Sequence, residues 1–391
     1  MNYEQLLNPT LQQIAPSGIR KFFDIAAEMD DVISLSVGEP DFSTPWHIRQ
    51  EGIRTLEKGK TWYSPNAGFL RLRQSVAAYI ERHNQVTYDP KTEILVTVGG
   101  SEAIDLTFRA LIRPGDEVLI PEPCFVCYDP LTRMAGGVPV PIVARAEDGF
   151  RLTAAAVKAA ITPRTKILLL AYPNNPTGAV MPREALEEIA SVLRGTDVMI
   201  LSDEIYGELT YGREHTSITS LDGMRERTVL VAGFSKAFAM TGWRLGYACG
   251  PAPVMKQIIK LHQFGIMCAP TTAQYAAIEA LDNGENDVTE MRDEYNMRRQ
   301  LIVKELNALG LTCFEPEGAF YVFPSIQSTG MSSEEFCARL LEEKHVAVVP
   351  GTAFGASGEG FVRISYCYSL EHIMEALRRI RAFLGENGLC K

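Results

Sequence analysis

This chain has no long apolar run. Its longest aliphatic stretches, such as residues 167–171, fall far short of the ~20 residues that cross a bilayer, so no membrane-spanning helix is expected. The first nine residues carry no basic segment followed by an apolar one, so no secretory signal is expected and the cytoplasm is the expected compartment. Positive charge is also scarce: 38 Lys and Arg stand against 48 Asp and Glu, a formal net charge of −10. Without a basic stripe, nucleic acid is excluded as the expected partner. The six histidines show no metal-ligand spacing. The eight cysteines are scattered and mostly sit inside apolar stretches (Cys249, Cys268, Cys313, Cys367), as reduced core residues do and a disulfide framework does not. Cys124 and Cys127 form a C-x-x-C, but neither a thioredoxin-like context nor a second ligand pair accompanies it. Internal repeats and low-complexity segments are absent.

What is present is an ordinary globular composition, 46% hydrophobic and 22% charged, over 391 residues, more than one small core usually holds. Between residues 93 and 250 a short apolar strand, a Gly, Pro or Asn loop and an amphipathic helix recur. Strands are expected at 94–98, 117–120, 138–143, 166–171, 198–202, 228–232 and 245–249. Most are continuous aliphatic runs without alternation, the mark of strands covered on both faces. Helices are expected at 69–83, 102–112, 183–193 and 253–264. The fold class that follows is α/β, a large domain with a mostly parallel seven-stranded sheet between helices. A polar helical stretch at 287–309 reads as a connector. After it come short strands at 311–314, 320–323, 346–348 and 362–366 and helices at 332–344 and 370–384, which make a smaller α+β domain. The expected division is an arm at 1–45 that packs on the small domain or a neighbouring subunit, a large domain at 46–285, and the connector with the small domain at 286–391.

The chemistry-bearing side chains sit at strand ends, where open α/β sheets bind ligands. Lys236 follows the 228–232 strand in Val231-Ala232-Gly233-Phe234-Ser235-Lys236, and Arg244 comes eight residues later. The pair offers an amine able to form a Schiff base and a fixed cation able to hold a phosphate. Most lysines are solvated surface groups; the small and aromatic neighbours here set this one apart. The helix at 101–112 follows Gly99-Gly100, with Ser101 as its expected cap, and its free N–H groups face the strand end as an anion site. In Ala171-Tyr172-Pro173-Asn174-Asn175-Pro176 a strand runs into a rigid loop that presents an amide, and Asn175-Pro176 is a candidate cis bond. Asp203 follows five mostly aliphatic residues and needs either a cationic partner or a role as cap of a following helix. Tyr206 comes three residues later. Arg363, inside a small-domain strand, is either a solvated strand-face residue or a bidentate partner for a carboxylate. Tyr63 lies in the turn-rich loop 61–68.

The order and company of these motifs are specific. From Ser17-Gly18-Ile19-Arg20 to the carboxy-terminal helix the chain resembles the pyridoxal-phosphate-dependent class I/II aminotransferases of the fold type I, PLP-transferase-like architecture. The resemblance rests on Gly38-Glu39-Pro40-Asp41-Phe42, Pro173-Asn174-Asn175-Pro176-Thr177-Gly178, Ser202-Asp203-Glu204-Ile205-Tyr206 and Ser235-Lys236 through Thr241-Gly242-Trp243-Arg244. It is nearest to the branch of bacterial aspartate, aromatic and N-acetyl-diaminopimelate enzymes. It implies pyridoxal 5'-phosphate as cofactor, an amino acid and a 2-oxo acid (the 2-oxoglutarate/glutamate pair in one direction) as substrates, and a homodimer with shared active sites. By the same resemblance Lys236 is the Schiff-base lysine and the proton carrier, and Asp203 keeps the ring nitrogen protonated. Asn175 and Tyr206 bond the ring oxygen; Ser101, Glu102, Ala103, Ser235 and Arg244 hold the phosphate; Phe125 stacks on the ring. Tyr63 reaches the other subunit's phosphate, and Gly38, Asn175 and Arg363 take the substrate carboxylate. Position 233 is Gly where some relatives carry a phosphate-binding hydroxyl, and position 125 is Phe where Tyr or Trp is frequent. A C-S lyase or cyclising synthase on the same fold and a cofactor-bearing regulator are the alternatives; no DNA-binding helix pair supports the last. The side-chain end of the substrate is not legible, with Arg20 the one spare cation in view.

Overall fold

The computed structural model describes residues 1–16, 18, 29 and 31–388. Twelve strands follow in chain order: β1 (Ile33–Ser34), β2 (Ile94–Thr97), β3 (Glu117–Glu122), β4 (Val138–Val143), β5 (Thr165–Ala171), β6 (Met199–Asp203), β7 (Thr228–Gly233), β8 (Gly246–Cys249), β9 (Tyr321–Val322), β10 (Val346–Ala347), β11 (Val349–Pro350) and β12 (Val362–Ser365). Seven of them form one sheet in the order β2-β8-β7-β6-β5-β3-β4, parallel except for β8, which runs antiparallel to both its neighbours. The expected α/β sheet is present.

Both faces of that sheet are covered, which is why its strands do not alternate. Along β5, Ile167, Leu169 and Ala171 pack into one apolar cluster with Ala103, Phe108 and Met255, while Leu168 and Leu170 pack into another with Leu186, Ile189 and Leu193. The helix Arg183–Leu193 buries Leu186, Ile189, Ala190 and Leu193, spaced so that they share one stripe. The exception is β4. As an edge strand it leaves Val138 and Val143 exposed, and Pro139 and Pro141 blunt its free side.

A smaller unit gathers β9, β11 and β12 as an antiparallel sheet, with the helices Glu285–Ala308, Ser333–Lys344 and Leu370–Glu386 around a cluster built on Phe320, Phe336, Tyr366 and Phe383. Two expectations change here. Residues 311–314 are not a strand: the Cys313 N–H donates to the Asn307 side chain at 3.0 Å, so the backbone is satisfied without a ladder. The run 346–348 shortens to Val346–Ala347, which pairs in parallel with Ile33–Ser34, and a separate strand, Val349–Pro350, pairs with β12. Ile33–Ser34 thus joins the segment before the large sheet to the small unit. Ser17, Ile19 and Arg20 lie outside the described residues. No helix among the described residues is long and apolar enough to cross a membrane.

Candidate functional site

The carboxyl ends of β3, β5, β6 and β7 open into one cavity of about 480 Å³. Residues on the loops after these strands, at the start of the helix Gly99–Leu111, at Val37–Glu39, and at Tyr321 and Arg363 in the small unit line it. A cavity of this size at this edge is the expected ligand site of an open α/β sheet.

Lys236 enters two residues past Phe234, and its Nζ donates to the Gly38 carbonyl at 2.6 Å. The rings of Tyr206 and Phe320 lie 5.9 and 5.7 Å from Nζ. Burial pushes the amine down from its ordinary value to about 8, since little water remains to hold the charged form. Gly38 is fixed by contact: a Cβ there would lie 1.8 Å from the Tyr321 hydroxyl.

Asp203 closes β6. Its Oδ2 accepts the Tyr128 hydroxyl at 2.8 Å and its Oδ1 the Ile205 N–H at 3.2 Å. No helix follows for it to cap; residues 205–208 are turns. Among the described residues no cation forms an ion pair with it, and burial lifts its carboxyl from 3.8 to about 6. The next residue points the other way, as strand geometry requires. Glu204 accepts from Ser202, Ser217 and His215 at 2.8, 2.6 and 2.8 Å.

Arg363 is not a solvated strand residue: only 2% of it is exposed. Its guanidinium lies between the faces of Tyr321 and Phe354, at 4.5 and 4.8 Å, which fixes its plane. One amino group donates to Asn175 Oδ1 at 2.9 Å and another to the Ser36 carbonyl, while Nε is buried without a partner among the described residues. Tyr206 shares a 2.8 Å hydrogen bond with Tyr321. Asn175–Pro176 is not a cis bond; among the described residues the cis bonds are Glu122–Pro123 and Tyr172–Pro173. Asn174 closes the loop after them by accepting from the Thr177 backbone and hydroxyl at 3.2 and 2.8 Å.

Ser101 does not cap its helix. The helix starts two residues earlier, because Gly99 takes φ +75° and turns the chain directly out of β2, with Val98 as a cap residue that makes no side-chain cap bond. A Cβ on Gly99 would come within 2.8 Å of the Arg244 guanidinium. The first backbone N–H groups of this helix are thus left for a ligand, beside Ser101, Ser235 and Arg244, all of which line the cavity. Phe125 forms part of the wall. Glu102, Ala103 and Tyr63 do not line it: Ala103 is core, Glu102 turns towards Val98 and His262, and Tyr63 is 78% exposed. Sequence reasoning missed Tyr128 and Tyr321, whose partners Asp203 and Tyr206 lie 75 and 115 residues away.

Cys124 and Cys127 are free, with burial holding both thiols well above their usual range, and no His, Cys, Asp and Glu group among the described residues could hold a metal ion. The donor set suits a different kind of ligand. An amine able to be neutral, a buried carboxylate short of a cation, and an uncapped helix start beside an arginine together fit an aldehyde, a protonated ring nitrogen and a phosphate.

Comparison with known proteins gives the same direction. The model of the family "Aminotransferase class I and II" matches residues 30–380. Over 378 residues the chain is 53% identical to YugH of Bacillus subtilis (strain 168), covering 97% of this chain and 98% of that protein. It is 46% identical over 386 residues to aromatic-amino-acid aminotransferase 2 of Thermococcus litoralis, covering 98% and 99%. Among solved structures, the aspartate aminotransferase of Thermus thermophilus with maleate superposes with a TM-score of 0.92 at 42% identity, over 96% of this chain and 99% of that one.

Proposed function

The chain belongs to the class I and II aminotransferases, and from that premise we propose that it works with pyridoxal 5'-phosphate bound in the strand-end cavity. The proposed traffic is nitrogen from an L-amino acid to a 2-oxo acid, with 2-oxoglutarate and glutamate as one pair. The observation that carries this reading is the meeting of Lys236, Asp203 and the uncapped helix start in one cavity. When bound, the cofactor supplies a ring that draws off the electron pair left as a proton departs from the substrate's α-carbon.

The chain's own residues do the rest. Asp203 supplies the anion that a protonated ring nitrogen needs, with Tyr128 holding its other side. Asn175 and Tyr206 present an amide and a phenol to the ring oxygen, and Phe125 walls the ring. Ser101, Ser235, Arg244 and the helix-start N–H groups take the phosphate; Glu102 and Ala103 contribute main chain alone. Arg363, its plane set by two rings, offers its unpartnered Nε edge to the substrate carboxylate beside Gly38 and Asn175. Lys236 Nζ accepts the α-proton and returns it.

Only a neutral amine attacks an aldehyde. With Nζ lowered to about 8, capture of pyridoxal phosphate by cofactor-free protein is expected to quicken about tenfold per pH unit below 8 and level off above it. Stopped-flow absorbance between pH 6 and 10 measures this. A rate still climbing past pH 9 would mean an ordinary solvated lysine.

A homodimer completes the proposal. Tyr63, Trp62, Phe264, Ile266 and Met267 are exposed, and bonds from Asn66 to the Met267 carbonyl (2.9 Å) and from Thr271 to the Trp62 carbonyl (2.8 Å) join them into one apolar face. Tyr63 then meets the partner's cavity. Relatives of this family carry aromatic, aspartate and aspartate/prephenate names, so the donor is read by assay. Aspartate, phenylalanine, alanine and N-acetyl-diaminopimelate are each offered with 2-oxoglutarate, and glutamate is measured. At least one donor is expected to yield glutamate; ammonia release without an acceptor would instead point to elimination.

A further inference from the structure

A carboxylate in the first turn of a helix suits the helix dipole but competes with an anion bound there, and Glu102 is one such carboxylate. Its position is held from two sides. Oε2 accepts the N–H of Val98, the residue from which the helix springs, and Oε1 accepts Nδ1–H of His262 at 2.8 Å. A carboxylate only accepts, so Nδ1 is the donor. His262 belongs to the neighbouring helix Ala252–Gly265 and is 0% exposed, and its Nε2 is buried without a partner among the described residues. Among the described residues the ring's one bond is therefore to Glu102. The corner it braces is tight: Gly99 passes against Arg244, and a Cβ on Gly246 would lie 2.7 Å from the Gly99 carbonyl carbon.

We propose that His262 is a positioning residue for the phosphate seat. Through Glu102 it ties the start of the Gly99–Leu111 helix to the adjacent helix, and it keeps the carboxylate turned out of the cavity so that the bare N–H groups face the anion. Without the donor, Glu102 keeps only the Val98 bond and is free to swing towards the seat, adding repulsion where an anion should bind. The inference rests on the reading of that helix start as the phosphate site.

The test is equilibrium titration of the cofactor-free full-length chain with pyridoxal phosphate and, in parallel, with pyridoxal, which lacks the phosphate. His262→Leu fills the volume and removes the donor. It is expected to weaken pyridoxal phosphate about tenfold while pyridoxal stays within about twofold, a fair share of one charged hydrogen bond. His262→Asn, whose amide can stand in for Nδ1–H, should recover most of the loss. A leucine variant that melts at lower temperature yet keeps the wild-type ratio of the two affinities overturns the proposal and leaves His262 a packing residue. If the leucine variant does not fold, His262→Met carries the same test. Arg244→Ala separates the two readings: if it too leaves the ratio unchanged, the phosphate seat itself is misplaced; if it alone collapses the ratio, only the role of His262 falls.

Discussion

Replacing Lys236 with alanine is expected to lower amino transfer by at least about 10⁴-fold, the combined loss of an attacking amine and a positioned proton carrier. The fold should not suffer. Burial lowers the amine to about 8 from an ordinary 10.5, so below pH 8 the folded chain bears the full cost of holding the charge, and that cost fades as pH rises through the interval between the two values. Alanine removes that cost, so the cofactor-free variant should be at least as stable as wild type at pH 7. Pyridoxal phosphate should still bind through Asp203, Arg244 and the helix start. It should wash out on dialysis and lack the absorbance of the covalently attached form. Single-turnover measurement with saturating amino acid is the decisive readout. A variant that keeps more than about 1% of the wild-type rate would move the proton chemistry to another residue. Lys236→Arg should be nearly as inactive, since a guanidinium does not give up its proton in this range.

How far the sequence carries depends on where each residue's partner sits in the chain. The central strands were legible because a strand covered on both faces has no polar positions to hide it; Ile167 to Ala171 feeds two clusters at once. Lys236, Asp203, Asn175 and Arg363 were legible as candidates because polar groups at the ends of apolar runs are conspicuous. The small unit was harder. Its strands are two to four residues long, and β1 and β10 find each other across some three hundred residues, beyond any local pattern. Cys313 sits in a run that looks like a strand, yet a single asparagine side chain satisfies its backbone. Tyr128 and Tyr321 carry no local mark, because a buried tyrosine is ordinary core until its hydroxyl partner is known. Ser101 reads as a cap in the sequence, yet Gly99 with its positive φ starts the helix without a capping side chain.

Asp203→Asn separates stability from function at one atom. In the cofactor-free chain the carboxylate is buried with a phenol and a backbone N–H for company, and its pKa rises from 3.8 to about 6. A raised carboxyl binds more protons folded than unfolded, so its cost is absent below about 3.8 and complete above about 6, and two units amount to about 3 kcal/mol. Asparagine keeps an oxygen for Tyr128 and carries no charge. The variant without cofactor should therefore be more stable than wild type at pH 8, by up to about 3 kcal/mol, with the gap closing as the pH falls towards 4. Denaturant unfolding at pH 8 and pH 4 measures both ends. Activity should move in the opposite direction, by about 10³-fold, because a neutral amide cannot hold a ring nitrogen in its protonated state and the electron pair left on the substrate carbon then has no sink. Adding pyridoxal phosphate should stabilise wild type more than the variant, since only the carboxylate gains a cation on binding. A variant that stays active would show that Asp203 does not hold the ring nitrogen protonated, and one that gains nothing in stability at pH 8 would show that its carboxylate already has a counter-charge within the chain.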